Sequence, residues 1–430
     1  MVDEALNCAL QRTPETSAMT PSSNKLLNDP VHGFIALRHP EFLQVMDHPY
    51  LQRLRRISQL GLSHLVYPGA VHNRFHHALG CLHLMQSALD QLRAKGIEIS
   101  EREFKGACFA ILLHDVGHGP FSHALEHSLV RGVEHEEISV LIMNELNAHF
   151  GGMLDDAIEI FNDNYPRKFF HDLVSSQLDM DRLDYLQRDS FFTGVTEGQI
   201  GSGRIIKMLN VHNDRLVVEE KGIYSVEQFI ISRRLMYWQV YLHKTVIAAE
   251  WMMMGILERA RQLALSGHQL FTTPALRPFL FEQLDRARVL ADPELLNAFC
   301  QLDDADILTA IKAWQHNPDP VLGPLCNRLM NRQLLRIELR NQPFTQSDID
   351  ERIAAVAKLY GISSDEAAHF VINDHIDNRA YSTAADGINI LFKSGEIRDV
   401  ASASDHLNLS ALSVPVEKHF LAYPKELPRR

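Results

Sequence analysis

Apolar residues recur at every third or fourth position along this 430-residue chain, from residue 41 to about residue 265. The set Phe104, Cys108, Ile111 and Leu112 is typical of residues 41–265 and repeats with the period of an α-helix. Short turns rich in glycine and proline interrupt the pattern. The spacing therefore predicts a compact, all-helical lobe over this part of the chain.

The pattern changes toward the C-terminus. Residues 268–375 predict further helices that are separated by prolines. Beyond them, residues 388–392 and 397–400 flank the turn-forming segment 393–396, which predicts a short β-hairpin. The predicted fold class is mainly α, with a smaller α+β C-terminal region that contains this hairpin.

These patterns divide the chain into three parts. Residues 1–24 are rich in Ser, Thr, Pro and Asn and are predicted to be disordered. Residues 25–265 form the predicted helical core, and residues 266–430 form the predicted C-terminal lobe of helices and strands.

Composition and charge narrow the class of protein. Hydrophobic residues make up 46% of the chain and charged residues 22%, which is ordinary for a globular protein with a large core. The formal net charge of −12 predicts no broad basic face, so a nucleic-acid partner is not expected. The longest apolar run, near residues 246–257, contains Glu250 and is too short to cross a bilayer, so no membrane association is expected.

The cysteines and the N-terminal residues predict the cellular compartment of the protein. The five cysteines include no Cys-x-x-Cys pair, which predicts reduced, mostly buried thiols. Residues 1–20 are polar and lack the apolar segment of a signal peptide. We expect a cytoplasmic location.

The densest chemistry follows the apolar run 107–113. His114 and Asp115 come at its end, and His118 and His123 follow closely. Burying imidazoles and a carboxylate at the end of an apolar segment costs free energy unless a ligand or a partner binds them. A divalent metal that acts on phosphate is the obvious candidate.

Such a metal is bound by imidazole and carboxylate groups that leave positions open for water and substrate. His77, on a helix predicted over residues 75–92, would join His114 and Asp115 as ligands. These last two residues are adjacent and can share an ion only if their helix ends there. Gly117 is expected to supply that stop as a C-terminal cap.

A fourth ligand is expected from a helix predicted over residues 173–188, whose other face is apolar. Asp179, Asp181 and Asp184 are all available on it, and spacing alone does not choose among them.

Six ordered motifs resemble one family. They are SQLG at 58–61, YPGA at 67–70, HNRFHH at 72–77, HDVGHGPFSH at 114–123, DRLDYLQRD at 181–189 and YLHK at 241–244. Together they are similar to the deoxynucleoside triphosphate (dNTP) triphosphohydrolases, a branch of the HD-domain phosphohydrolases. The resemblance covers residues 25–265 and implies an HD-domain helical core. It also implies hydrolysis of a dNTP to a deoxynucleoside and inorganic triphosphate.

The resemblance assigns His77, His114, Asp115 and Asp181 as ligands of a divalent metal. That metal would be Mg, Mn, Fe, Zn or Ni. The ion would lower the pKa of a bound water and neutralise charge on the α-phosphate.

Catalytic roles are implied for His118, His123 and His135, which would line the phosphates as base, acid or stabiliser of the transition state. The family pairs the last of these with an Asp. This chain has Glu126 at that place, a carboxylate that is one methylene longer.

Substrate contacts are implied for a further set of residues. Arg74 and Arg233 would hold phosphate oxygens, with Lys244 as a further cation. Arg182 stands where the family usually has Lys, which keeps the charge and changes its geometry.

The sugar contacts carry the specificity for deoxyribose. Gln59 and Asp189 would bind the 3′-hydroxyl. Tyr185 and Tyr241 would wall the sugar and leave no room for a 2′-hydroxyl.

A regulatory site is implied by residues 47–55. This segment resembles the one by which a vertebrate relative binds an activating guanine nucleotide, so GTP or a dNTP is an expected activator. Asp47, Gln52 and Arg55 would contact the base, and Lys25 a phosphate. Such a site lies between subunits, which implies a homo-oligomer, a dimer or a tetramer.

The alternative for this segment is purely structural. Asp47 would cap a helix that begins near Pro49, with Gln52 and Arg55 on its solvated face.

Two other functions stay open. A different HD-type phosphohydrolase, either a nucleotidase or a cyclic-nucleotide phosphodiesterase, would use the same metal ligands. A catalytically weak protein that binds nucleotides or nucleic acid would keep the fold without the chemistry. The residues assigned to deoxyribose favour dNTP hydrolysis, because metal chemistry alone does not need them.

Overall fold

The computed structural model describes residues 25–121, 128–129, 132–378, 381, 387–405 and 416–429. Within these ranges the chain is mainly helical, with short strands near both ends and in the middle. The predicted fold class is confirmed. The predicted disordered segment 1–24 lies outside the described residues, and the division near residue 265 stays a prediction.

Helices supply most of the architecture. In chain order they are α1 Pro40–Met46, α2 Pro49–Gln52, α3 Arg74–Ala94, α4 Glu101–Leu113, α5 His135–His149, α6 Asp155–Phe161, α7 Phe169–Val174, α8 Met180–Thr193, α9 Ser202–Met208, α10 Ile223–Met236, α11 Lys244–Leu265, α12 Arg277–Phe281, α13 Arg286–Ala291, α14 Pro293–Gln301, α15 Asp304–Trp314, α16 Leu322–Met330, α17 Gln346–Tyr360, α18 Ser364–Ala368 and α19 Val400–Ala403. The long helices α3, α4 and α8 pack side by side at the centre of the core.

Strands form three small sheets around the helices. In chain order they are β1 Lys25–Asp29, β2 Gly33–Leu37, β3 Leu209–His212, β4 Arg215–Glu219, β5 Arg336–Arg340, β6 Ile372–Asn378, β7 Asn389–Leu391, β8 Ile397–Asp399 and β9 Val416–Tyr423. β1 pairs with β2, a four-stranded sheet has the order β3-β4-β7-β8, and a three-stranded sheet has the order β5-β9-β6. Only the β4–β7 pairing is parallel among the described strands.

The predicted hairpin and the first predicted helix are both present. Strands β7 and β8 pair antiparallel, with Asn389 opposite Asp399. Helix α3 extends the predicted 75–92 by a residue or two at each end. Its N-terminus is fixed by Asn73, whose side chain accepts a hydrogen bond from the backbone N–H of His76 at 3.1 Å.

The prediction of one helix over residues 173–188 is wrong, because two helices share this range. Helix α7 ends at Val174 and helix α8 starts at Met180. Asp179 causes the break, because its extended backbone and its carboxylate cap α8 by accepting from the N–H of Arg182 at 2.7 Å. The apolar period that spans both helices concealed this cap.

The role predicted for Gly117 is also wrong. Helix α4 does end at Leu113, but Gly117 does not adopt the left-handed backbone of a C-terminal glycine cap. It permits a close approach instead. A Cβ at Gly117 would lie 2.1 Å from the carbonyl oxygen of His135 and 2.4 Å from the backbone nitrogen of Ser139, at the start of α5.

Two further expectations concern thiols and membranes. Cys81, Cys108, Cys300 and Cys326 are free and buried, as predicted, whereas Cys8 lies outside the described residues. Among the described helices, none combines the length and the apolar character that crossing a membrane requires.

We expect Gly117→Ala to lower the free energy of unfolding by at least about 2 kcal/mol, because backbone atoms of α5 cannot move aside for a methyl group. Thermal and urea unfolding measure the change. The matched control is Gly203→Ala in α9, where a Cβ meets nothing within 4 Å. That substitution should stabilise the protein by up to about 1 kcal/mol. Equal effects of the two substitutions would contradict this account of Gly117.

Candidate functional site

Three helices bring the predicted metal ligands together. His77 lies in α3, His114 and Asp115 directly follow α4, and Asp181 lies in the first turn of α8. Helices α3 and α8 approach closely at Gly80, where a Cβ would lie 1.8 Å from Asp184 Oδ1. The site therefore depends on the close packing of residues that are far apart in the chain.

The four predicted ligands form one cluster. His77 Nε2 lies 3.0 Å from Asp181 Oδ1 and 3.8 Å from Asp115 Oδ2. His114 Nε2 lies 3.4 Å from Asp115 Oδ1 and 3.5 Å from Asp181 Oδ1. Two imidazole nitrogens and two carboxylates thus point at a common space, and Asp181 is the carboxylate of α8 that reaches it.

Cys81 also lies within reach of this cluster, which the sequence analysis did not foresee. One candidate ligand atom from each of His77, Cys81, His114 and Asp181 lies within 4.8 Å of the others. Burial raises the pKa of the Cys81 thiol, so it stays protonated and is a poor ligand. The carboxylate of Asp115 suits a hard or borderline cation better.

Hydrogen bonds orient both imidazoles toward the cluster. His77 Nδ1 donates to Asp184 Oδ2 at 2.8 Å, and His114 Nδ1 donates to the carbonyl oxygen of Ile111 at 2.6 Å. When these rings are neutral, the Nε2 atom of each presents a lone pair to the cluster. His114 Nε2 is buried and has no hydrogen-bond partner among the described residues. These residues fit a divalent cation.

The charges of the cluster lead to the same conclusion. Burial alone would lower the pKa of His77, but its acidic neighbours outweigh burial and raise it. Burial alone would raise the pKa of Asp115, but the adjacent histidines and Arg74 hold it well below its usual range. The free protein thus holds protons where a bound cation would displace them.

Asp184 belongs to a buried network behind His77 rather than to the ligand set. Its Oδ1 accepts from His32 Nε2 at 2.6 Å, and its Oδ2 accepts from Arg188 Nε at 2.8 Å. Arg188 Nη1 in turn donates to Asp29 at 2.8 Å. The β1–β2 hairpin is thereby connected to a metal ligand.

The predicted catalytic histidines are only partly described. His118 and His135 lie face to face, with ring centroids 3.8 Å apart, and His118 Nδ1 is 3.2 Å from Asp115 Oδ1. Burial and the charge of Arg74 lower the pKa of His118 to about 3, so its ring is neutral. His123 and Glu126 lie outside the described residues.

The basic side chains predicted to bind phosphate differ in their distance from the predicted metal cluster. Arg74 Nη1 donates to Asp115 Oδ2 at 2.5 Å, directly beside the cluster. Arg182 pairs with Asp179 and lines a cavity of about 670 Å³ together with His114, Asp115 and Asp181. The guanidinium of Arg233 lies 5.9 Å from the ring centre of Tyr237. Lys244 is exposed at the start of α11 and lines neither this cavity nor the larger one described next.

The predicted sugar contacts adjoin a larger cavity of about 800 Å³. Gln59, Arg74 and Tyr241 line it, and the Oε1 atom of Gln59 is buried without a hydrogen-bond partner among the described residues. The Tyr241 hydroxyl donates to Asp189 Oδ2 at 2.7 Å. Tyr185 packs edge-on against Tyr241, with ring centroids 6.1 Å apart.

The two cavities border the same ion pair, since Arg74 lines the larger cavity and Asp115 the smaller. A ligand that spans this pair would contact the predicted metal cluster with one end and the larger cavity with the other. Ligand pockets of other proteins have volumes of about 300–1,000 Å³, and both cavities fall in this range.

Comparisons with known proteins identify the family. An HD domain matches residues 74–189, and an HD associated region matches residues 200–272. The Bacillus subtilis protein YwfO, which is named as uncharacterized, is 31% identical over 94% of this chain and 93% of its own length. A crystal structure of a phosphohydrolase from Bacteroides thetaiotaomicron is 50% identical, with a TM-score of 0.91, and covers 94% of this chain and 100% of that one. The chain belongs to the HD-domain phosphohydrolase family.

A more distant relative carries a more specific name. Human SAMHD1, named a deoxynucleoside triphosphate triphosphohydrolase, is 30% identical over 51% of this chain and 42% of its own length. The HD domain match begins at Arg74 and ends at Asp189, so it spans all four predicted metal ligands of this HD-domain protein.

Arg53 supports the site of this phosphohydrolase and was missed from the sequence. It is fully buried and donates to three carbonyl oxygens, of Leu302 at 2.8 Å, Val116 at 3.1 Å and His118 at 2.6 Å. It therefore holds the turn that carries Asp115. Nothing in its spacing distinguishes it from the exposed Arg55.

The predicted regulatory residues are exposed or half-buried, and Gln52 and Arg55 flank Arg53 in the chain. Gln52 Nε2 donates to the carbonyl of Met46 at 2.7 Å and accepts from Arg55 Nε at 2.8 Å. Asp47 and Lys25 are exposed. No contact joins Lys25 to the other three in the part of the chain that the structure describes.

The structural alternative for Asp47 is wrong in its detail. A helix does begin at Pro49, but His48 caps it, with Nδ1 accepting from the N–H of Tyr50 at 3.2 Å. Asp47 ends the preceding helix α1 instead.

We expect Arg53→Met to lower the free energy of unfolding by about 3–5 kcal/mol, because it leaves three buried carbonyl groups without donors. Urea denaturation measures the loss. Arg55→Met is the matched control. The exposed guanidinium of Arg55 lies 3.7 Å from the ring centre of Phe75, and the loss of this contact should lower the free energy of unfolding by about 1 kcal/mol or less. A loss for Arg53→Met no larger than for the control would be evidence against the bracing role.

Proposed function

We propose that this HD-domain protein hydrolyses a dNTP to a deoxynucleoside and inorganic triphosphate. One observation carries the proposal: Arg74, which is paired with Asp115 of the predicted ligand cluster, lines a cavity of about 800 Å³ together with Gln59 and Tyr241, two of the four residues expected to contact deoxyribose. The names of the SAMHD1 relatives support the same substrate.

His77, His114, Asp115 and Asp181 would hold the metal. A bound divalent cation supplies a water of lowered pKa and neutralises charge on the phosphate. Arg74 then contacts an α-phosphate oxygen from its position beside Asp115, and Arg182 contacts the outer phosphates from the second cavity. Arg233 adds a further positive charge.

The reaction breaks the bond between the α-phosphorus and the 5′-oxygen. Oxygen from water bonds to the phosphorus, and the 5′-oxygen leaves with a proton. His123 supplies that proton, or His118 does so once the negative charge of the bound triphosphate has raised its pKa from about 3. His135 packs against the ring of His118 and keeps it in place. Glu126 would orient His135.

The side chains expected to contact the sugar are positioned by hydrogen bonds among themselves and with His72. Asp189 accepts from His72 and Tyr241, each at 2.7 Å, which fixes the tyrosine ring as a wall. A 2′-hydroxyl would clash with that wall, and Gln59 would lose the 3′-hydroxyl if the sugar shifted. We propose that this pair of effects excludes ribonucleotides.

A product analysis tests the proposed activity. With Mg²⁺ or Mn²⁺, each dNTP should give inorganic triphosphate and the deoxynucleoside. Asp115→Asn should lower kcat/KM by at least about 10³-fold, because it removes a metal ligand and the partner of Arg74. Bound metal should fall in parallel, as measured by elemental analysis.

The control variant is Asp90→Asn, whose carboxylate pairs with Arg38 at the surface and should leave turnover unchanged. Pyrophosphate with a deoxynucleoside monophosphate as products would identify another HD-type phosphohydrolase. No turnover with any dNTP, metal or activator would reject the proposal.

Activation by a guanine nucleotide forms a second part of the proposal. Lys25, Asp47, Gln52 and Arg55 would bind GTP or a dNTP between subunits of a dimer or tetramer. The adjacent Arg53 would relay binding to the turn at Asp115, because its guanidinium holds that turn.

We expect saturating GTP to raise kcat/KM for a dNTP about 5- to 150-fold, the range typical of coupled sites. Arg55→Ala should remove this stimulation without removing the basal rate. Arg56→Ala, which loses an ion pair with Asp303, is the control and should keep the stimulation. Light scattering with and without GTP reports the subunit count. A basal rate that GTP never changes would contradict activation while leaving hydrolysis intact.

A further inference from the structure

We propose that Glu250 selects the nucleobase of the substrate and that its carboxylate favours guanine. The inference rests on the proposed function and adds a specificity that neither the family nor the relatives' names assign. Glu250 lies in α11 and lines the same cavity of about 800 Å³ as Gln59, Arg74 and Tyr241.

The carboxyl group of Glu250 lies against the turn that follows Gln59. A Cβ placed at Gly61 would be 3.6 Å from Glu250 Oε1. Gly61 has a positive φ of 47° and no side chain, so it leaves the carboxylate open to the cavity. The group that would read the base therefore lies two residues along the chain from the group that would bind the sugar.

Glu250 has no partner to explain its place in the fold. Within the described part of the chain, no hydrogen bond or ion pair reaches its carboxyl group. Its neighbours on α11 are apolar and buried, among them Ala249 and Met253. Burial raises the pKa of Glu250 to about 7, because its surroundings disfavour the charged form. A ligand with N–H donors would remove that penalty.

Further acidic residues line the same cavity as Glu250. Asp374, His375 and Asp377 from strand β6 line it, and His375 Nδ1 lies 3.1 Å from Asp374 Oδ1. Arg74, the one guanidinium in the lining among the described residues, is already paired with Asp115. Phosphates are thus attracted to the Arg74 end and repelled from the carboxylate end, which leaves that end for the base.

The carboxylate chooses among bases through its two acceptor oxygens. Guanine presents two adjacent donors, N1–H and the 2-amino group, which can form two parallel hydrogen bonds with one carboxylate. Adenine and cytosine offer one amino group beside an acceptor nitrogen. Thymine offers one N–H between two carbonyl oxygens, which an acceptor repels. Two charge-assisted bonds therefore favour guanine.

The wild-type protein provides the first test. At pH 8, where Glu250 is ionised, we expect kcat/KM for dGTP to exceed that for dTTP by at least about tenfold. The analogue dITP keeps N1–H and lacks the 2-amino group, so it should fall between the two. Equal rates for dGTP, dITP and dTTP would overturn the inference and leave the proposed hydrolysis standing.

The variant Glu250→Gln provides the second test. Its amide offers one acceptor and one donor, so the preference for dGTP over dATP should fall at least about tenfold or reverse. The rate with dTTP should rise, because the variant removes the repulsion of the thymine carbonyl oxygens and its amide N–H can donate to one of them. The matched control is Glu258→Gln on the same helix, outside the cavity lining, which should keep the wild-type order.

A binding measurement separates the two proposals. Calorimetric titration with deoxyguanosine, deoxyinosine and thymidine needs neither phosphate nor turnover. We expect the wild type to bind deoxyguanosine at least about tenfold more tightly than thymidine. The Glu250→Gln variant should lose this preference. Selective binding without dNTP turnover would support Glu250 and reject the hydrolase. Turnover of dNTPs together with unselective nucleoside binding would support the hydrolase and reject the role of Glu250.

Discussion

The buried ion pair of Asp184 with Arg188 organises this site more than any other contact. It joins the N-terminal hairpin through Asp29 and His32, and it joins helix α3 through His77. Removing one partner from such a pair typically costs about 3–5 kcal/mol, because the other charge remains buried. The network thus makes the orientation of a metal ligand part of the stability of the core.

The ligand cluster depends on that network for its chemistry. Because Asp184 holds Nδ1 of His77, the ring presents Nε2 to Asp115 and Asp181. His114 is oriented in the same way by a backbone carbonyl. Two lone pairs and two carboxylates in a buried space fit a divalent cation, and the HD domain match covers all four residues.

Two glycines that leave room for neighbouring groups set the remaining geometry. Gly80 lets α3 approach α8, and Gly117 lets the turn after α4 approach α5. Arg53 then holds that turn from behind through three carbonyl groups. The catalytic residues are consequently few, while the residues that hold them are spread through the core.

The sequence by itself determined the class of fold and the family, and it predicted the metal ligands. Helical periodicity is local, and the motifs around His77 and His114 keep a fixed order, so both can be recognised without coordinates. Only the tertiary structure decided that Asp181 reaches the predicted ligand cluster while Asp184 bonds to His77 and Arg188 behind it. The two carboxylates differ in the face of α8 that they occupy, and Asp179 sets where that helix begins. Arg53 and Glu250 were not foreseen for the same reason: their roles come from burial against residues far away in the chain, which spacing does not record.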